Sequence, residues 1–231
     1  MTSPDPARRD PSLVREMFGG LVSDYDRLNR IMTLGQDRGW RRQLVRQVMK
    51  FSPHRVLDLA AGTGELSLLF QKTGVDVVAA DFSEPMLTRA REKGVREIRL
   101  ADALNLPFED QSFDAVTIAW GFRNFSDRAA GSSEIYRVLK PGGVFAILES
   151  SEPEDWRRFA HRLYCRKIIP VLGSLLSGRP EAYQYLVNTV ERFPKPKELA
   201  RDLEGYGFTN TRWQTLGFGA VCLHISSKPT P

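Results

Sequence analysis

Residues 56–64, Val-Leu-Asp-Leu-Ala-Ala-Gly-Thr-Gly, constrain the fold more than any other part of the chain. An apolar strand runs into Gly62-Thr63-Gly64, and Glu65 to Gln71 then follows at helical spacing. Glycine enters the left-handed region without steric cost and adds no side chain, so such a turn lets the backbone approach a bulky polar ligand. The alternation continues with the apolar runs Val75 to Ala80, Ile98 to Leu100, Ala115 to Ile118 and Val144 to Leu148. Helical stretches Glu84 to Lys93 and Asp127 to Leu139 lie between them, and two more strands are expected in Phe208 to Ile225. Apolar strands alternating with helices predict an α/β fold: a Rossmann-like, mostly parallel seven-stranded sheet with helices on both faces. Lys140-Pro141-Gly142-Gly143 reads as the turn between the Asp127 helix and the strand after it.

A nicotinamide dinucleotide fingerprint needs a third glycine for helix packing, and Ser67 stands there instead. Three acids follow successive strands. Asp58, in the first, is suited to hold the glycine turn or a cationic amino group. Asp81, after the second, is suited to accept from both hydroxyls of a ribose, and Asp102 with Ala103, after the third, to meet an adenine amino group. Singly, Asp81 also reads as a cap for the helix near Glu84 and Asp102 as a turn former. Together, and with Gly62, Thr63 and Gly64, they favour S-adenosylmethionine (SAM) and the class I SAM-dependent methyltransferase fold.

Other functions are disfavoured by what is missing. Cys165 and Cys222, and His54, His161 and His224, are too scattered for a metal site. A net charge of +5 from 33 basic and 28 acidic residues is too mixed to call for nucleic acid. The apolar stretches fall short of a membrane span and the first residues are polar, so a cytoplasmic protein is expected. The expected organisation is a structureless tail at 1–11, then one methyltransferase domain at 12–231. Its parts are a helical cap at 12–50, a SAM-binding core at 55–150, a helical lid at 151–206 and terminal strands at 207–227. Ser12 caps a first helix, Tyr25 to Leu34 and Asp37 to Met49 form two more, and Trp156 to Leu176, Glu181 to Phe193 and Lys197 to Tyr206 form those of the later region.

Several segments resemble the UbiE/MenG family of quinone-biosynthesis C-methyltransferases. They are Tyr25-Asp26-Arg27-Leu28-Asn29, Met32 to Gly35, Gly121-Phe122-Arg123-Asn124, Tyr136 to Gly143, Leu148-Glu149, Tyr183 to Leu186 and Gly217 to Val221. The resemblance covers nearly the whole chain, and the Gly-x-Arg-Asn and Tyr-Asp-x-x-Asn segments carry its specificity. It implies methylation of a ring carbon of demethylmenaquinol, or of a ubiquinone precursor, with SAM held by Thr63, Asp81, Asp102 and Ala103. The family commonly has serine at the position of Ala119, so one cofactor hydrogen bond is missing and the site floor, with Trp120 next, is lined differently.

Methyl transfer to carbon needs an electron-rich acceptor, which a quinone is not and its deprotonated quinol is. Arg123 and Asn124 are the residues expected at the acceptor, the first stabilising a phenolate and the second fixing a ring oxygen. Tyr25 or Asp26 is expected to receive the proton. A polyprenyl naphthoquinol lies in lipid, so contact with the inner face of the membrane is expected through Trp156 to Leu172, with Arg158, Arg162 and Arg166, or through Arg38, Arg41, Arg42 and Arg46. Oligomeric state stays open, a homo-oligomer included. The competing readings are a methyltransferase for another aromatic or lipid acceptor and a non-catalytic SAM-binding scaffold subunit.

Overall fold

The computed structural model describes residues 25–168 and 189–230. The expected tail, the Ser12 helix and the Tyr183 to Leu186 segment lie outside these residues, as do parts of the Trp156 and Glu181 helices. Helix α1 (Tyr25–Met32) and α2 (Asp37–Val48) precede the sheet. Strand β1 (Arg55–Leu59) then opens a regular alternation: α3 (Glu65–Gln71), β2 (Asp76–Asp81), α4 (Glu84–Glu92), β3 (Glu97–Leu100), β4 (Phe113–Ala119), α5 (Arg128–Val138) and β5 (Leu139–Ser150). After α6 (Arg157–Leu163) and a wider helical turn at Tyr164–Ile168 come α7 (Pro196–Gly205), β6 (Thr209–Leu216) and β7 (Val221–Ser227).

The seven strands form one sheet in the order β3-β2-β1-β4-β5-β7-β6. Strands β1 to β5 are parallel, and β7 inserts antiparallel between β5 and β6. The parallel strands are buried because helices cover both faces. Leu57, Val78, Val116, Phe145 and Ile147 pack on one side with Phe122, Ile135 and Leu203. Val56, Val77, Ala115 and Ala146 pack on the other with Leu44, Val48 and Phe70. Strand order reverses between β1 and β4, and the crevice beyond the carboxyl ends of the strands at such a point is where α/β sheets bind ligands.

Lys140 to Gly143 does not separate helix from strand. The extended chain starts at Leu139, and the register slips between Phe113 and Ala115 to accommodate the extra residues. The Gly142 N–H donates to the Lys228 carbonyl and the Lys228 N–H to the Gly143 carbonyl, so this backbone finds sheet-like partners at the chain's end.

His224 in β7 joins the sheet to α7: its Nε2 donates to the Pro196 carbonyl at 2.9 Å while Nδ1 is buried without a partner. Burial pushes the imidazole down to about 4, so the folded chain holds it neutral. The unfolded chain binds a proton below about 6.5, hence the stability from a neutral His224 is full above that pH and is lost as pH falls toward 4. The shift corresponds to roughly 3 kcal/mol at most. Urea denaturation at pH 7 and pH 4.5 should show a smaller acid loss for His224→Gln than for wild type; equal losses would mean that His224 is not the titrating group.

Candidate active site

The glycine turn is built by three successive demands on the backbone. Ala60, Gly62 and Gly64 all have positive φ, and at Gly64 (φ 78°) a Cβ would lie 2.5 Å from a methyl of Val95. The third glycine's packing role therefore falls to Gly64, which explains how Ser67 is tolerated. The turn is fastened to β2 by Asp81, whose Oδ2 accepts from the Gly62 N–H at 2.8 Å and whose Oδ1 accepts from the Ser83 N–H at 2.9 Å. The second bond is the helix-start role that the spacing also allowed. Burial raises the Asp81 carboxyl above the usual range against the pull of these donors.

A cavity of about 490 Å³ opens beside this turn. Gly62, Asp81, Ser83, Asp102, Ala103, Ala119 and Asn124 line it together with Leu59, Met86, Trp120 and Phe125. Asp102 also accepts from the Leu104 N–H, as a turn former does. The Ser83 hydroxyl, one that sequence reasoning missed, is buried here without a partner. Its neighbour in sequence, Asp81, was noticed only because a carboxylate stands out at a strand end.

Three expected cofactor residues do not line this cavity. Asp58 is buried, accepts from the Ser67 hydroxyl at 2.5 Å and lies 3.4 Å from that of Thr117, and burial pushes its carboxyl up to about 7. Gly64 is occupied with Val95 and Ala90. The Thr63 hydroxyl donates to Asp26 Oδ1 at 2.6 Å. Lys93 closes a cluster around that bond, reaching Asp26 Oδ2 at 2.8 Å, Thr63 and Glu65. Asp26 thus clamps α1 onto the glycine turn, and both its oxygens are engaged. Tyr25 starts α1, and its side chain lies outside what is described.

A second cavity of about 150 Å³ shares Trp120 with the first. Asn29, Asp37, Arg41, Trp40, Arg123, His161, Tyr164 and Cys165 are among the residues that line it. Arg123 and Asn124 share one helical turn, 122–124, yet Arg123 faces this cavity and Asn124 the larger one. Arg123 does not pair with Asp127, which instead caps α5 through the Ala130 N–H. Its Nη1 donates to Glu149 Oε1 at 2.5 Å and to the Trp120 carbonyl at 2.9 Å, and its backbone N–H donates to Glu149 Oε2 at 3.2 Å. Both side chains are buried, and Arg123 Nε is left without a partner. Glu149 was legible only as the end of a strand motif. His161, whose imidazole burial keeps neutral near pH 7, was legible only as a scattered histidine. Among the described residues no group of side chains suits a metal ion.

The ubiE/COQ5 methyltransferase family matches residues 6–228. The chain belongs to this family. A demethylmenaquinone methyltransferase of Thermus thermophilus is 43% identical over 92% of this chain and 100% of its own length. One from Deinococcus radiodurans is 42% identical over 93% and 92%. Among solved structures, a SAM-dependent methyltransferase of Thermotoga maritima superposes with a TM-score of 0.69 at 21% identity, over 93% of this chain and 99% of that one. A Haemonchus contortus phosphoethanolamine N-methyltransferase holding S-adenosylhomocysteine gives 0.57 at 19% identity, over 81% and 52%. These two likenesses concern the fold.

As a UbiE/COQ5 member the chain is a SAM-dependent methyltransferase. The larger cavity fits such a cofactor on its own terms. Each Asp81 oxygen retains a lone pair for a ribose hydroxyl, Ser83 with its unpartnered buried hydroxyl lines the same space, and so does Asp102. Asp81→Asn should weaken SAM binding at least tenfold. Asp58→Asn should change it less than threefold while raising stability at pH 8, because the raised carboxyl makes the fold lose stability as pH climbs from about 4 to about 7. Calorimetric titration and urea melts of the two variants test this; a tenfold loss for Asp58→Asn would bring that carboxylate back to the cofactor.

Proposed function

We propose that this UbiE/COQ5 enzyme transfers the methyl group of SAM to a ring carbon of demethylmenaquinol, and that the smaller cavity takes the quinol ring. The relatives' names support the acceptor class. The observation that carries the placement is Arg123: a buried guanidinium that lines this cavity, is fixed by Glu149 and keeps an Nε without a partner. A phenolate oxygen is the partner that such a donor needs.

Bound SAM supplies an electrophilic methyl on a sulfonium. The protein's part is to hold the ring in line with it, to favour the phenolate and to accept the hydroxyl proton; alignment alone can supply about 7–11 kcal/mol of the barrier. Arg123 stays protonated and so stabilises charge rather than taking the proton. Neutral His161, in the same wall, is the proton acceptor in this reading, replacing Asp26. Asn124, on the cofactor side of the same turn, fixes the edge where the reactants meet.

Methyl transfer from labelled SAM should proceed to reduced, not oxidised, demethylmenaquinone; equal turnover without reductant would overturn the reading. His161→Ala should lower kcat about 10²–10⁴-fold with SAM affinity kept. Arg123→Ala alone strands a buried carboxylate and should cost about 3–5 kcal/mol of stability. The Arg123→Ala, Glu149→Gln pair should recover stability without recovering turnover.

A cavity this small cannot enclose a polyprenyl tail as well, so in this reading the tail runs out into lipid. No helix among the described residues is long and apolar enough to cross a membrane, which leaves contact at the surface. Leu34, Trp156, Phe159, Leu163 and Phe218, each at least half exposed, flank the cavity-lining Thr33, His161, Tyr164 and Ala220. The Tyr164 hydroxyl donates to the Met32 carbonyl, joining two of these segments. Large exposed apolar side chains gathered from three segments are a costly surface in water and a fitting one at an interface. The arginines expected to help behave differently: Arg158 and Arg162 pair with Glu152, Arg166 with Glu191, and Arg41 is buried against Asp37, whereas Arg38, Arg42 and Arg46 are exposed. Flotation with anionic liposomes at low salt should carry the wild type upward and leave a Trp156→Ser, Phe159→Ser, Phe218→Ser variant behind; equal flotation would remove this face from the reading.

A further inference from the structure

Among the described residues, Trp120 alone lines both cavities. Its surroundings fix it in an unusual way. The backbone has a φ of 60°, a region that bulky residues seldom enter and that persists only where neighbours over-determine it. The Trp120 N–H donates to the Leu148 carbonyl at 2.8 Å, and its own carbonyl accepts from Arg123. Outside the strand, Arg41 sits 4.6 Å from the indole centroid and Trp40 packs beside it at 6.3 Å. Arg41 is itself buried and held by Asp37 at 2.5 Å. Contacts from β5 and the 122–124 turn thus fix the Trp120 backbone, Arg41 and Trp40 of α2 hold its indole, and the residue lines both spaces.

We infer that Trp120 is the specificity-determining wall of the site: its indole sets how far an acceptor ring can advance toward the cofactor cavity, and so which ring size reaches the methyl group. This rests on the smaller cavity being the acceptor's. An aromatic face suits a flat aromatic acceptor, and the ring that fits against the wall is also the ring brought to the correct depth. A narrower acceptor would bind without being held at that depth, and a bulkier one would be stopped short. The neighbouring Ala119 leaves the cofactor cavity smooth beside the indole, so selection by shape rather than by a hydroxyl contact falls to Trp120. Arg41 and Asp37 act through Trp120 as positioning residues.

The experiment compares wild type, Trp120→Phe and Trp120→Ala in kcat/KM for 1,4-naphthohydroquinone and 1,4-benzohydroquinone, together with SAM affinity by calorimetry. Trp120→Ala should shrink the preference between the two acceptors at least tenfold, chiefly through KM for the two-ring acceptor and kcat for both. Trp120→Phe should fall between, and the SAM affinities measured for each variant set the saturating SAM at which the acceptor ratio is read. An equal loss of turnover on both acceptors, with the ratio unchanged, would overturn the inference in favour of a merely structural tryptophan. Indole emission supplies a measurement independent of turnover: S-adenosylhomocysteine added to the wild type should change it, and in Trp120→Phe the change should vanish. If neither hydroquinone is methylated by wild type but the emission change is present and lost in Trp120→Phe, the quinol reading fails while the wall stands. An unaltered emission change in Trp120→Phe would overturn the wall itself.

Discussion

A single buried ion pair, Arg123 with Glu149, organises the reactive end of the molecule. Taking two charges from water costs several kcal/mol each, and attraction repays it only where geometry is good and the other polar atoms are satisfied. Here Glu149 meets that condition by accepting from the guanidinium and from the backbone N–H groups of Arg123 and Ser150. The pair fixes the turn that follows β4 to the end of β5, and from that turn one side chain enters each cavity. Arg123 also holds the Trp120 carbonyl, so the partition between the cavities depends on the same charge.

Around that centre the helices preceding the sheet act as clamps rather than as a loose cover. Asp26 ties α1 to the glycine turn through Thr63 and Lys93, and Asp37 ties Arg41 of α2 into the stack on Trp120. Each link runs from a carboxylate near the chain's start to a group at the carboxyl end of the sheet. The two cavities are therefore walled by segments far apart in sequence, and α2 borders the smaller one directly as well as through its contacts with Trp120.

Much of the fold was legible because parallel strands buried on both faces must be apolar runs, and helices between them must alternate. The strand and helix ranges read from residues 55–138 agree with the structure to within a residue or two. The failure at Lys140 to Gly143 has a physical cause: proline and glycine punctuate a turn locally, but Lys228, nearly ninety residues on, offers the backbone partners that extend it into a strand. The lining of the larger cavity was legible where a place at a strand end implied it, as for Asp81, Asp102 and Ala103, whereas Asn124, expected at the acceptor, lines that cavity too. The site was illegible where a partner came from across the sheet. Nothing near Glu149 announces Arg123, nothing near Ser67 announces the burial of Asp58, and His161 gains meaning only when α6 brings it to the wall that Arg123 also lines.

Three of the buried carboxylates show how burial sorts acids that look alike in sequence. Glu149 has a full positive charge beside it and remains an anchor. Asp58 has the hydroxyls of Ser67 and Thr117 and the Ser67 N–H as close partners, with Arg41 acting at longer range, and burial pushes its carboxyl up to about 7. Such a group is engaged inside the fold and lines neither cavity. Asp81 lies between these cases: the backbone N–H groups of Gly62, Ser83 and Phe82 stabilise its charge, no cation among the described residues is paired with it, and the residue still borders open space. A carboxylate that keeps acceptor positions beside a cavity is incomplete as a structural element. What completes it is a pair of hydroxyl donors, and that requirement, more than the glycines that first draw the eye, distinguishes a cofactor site from a tight turn.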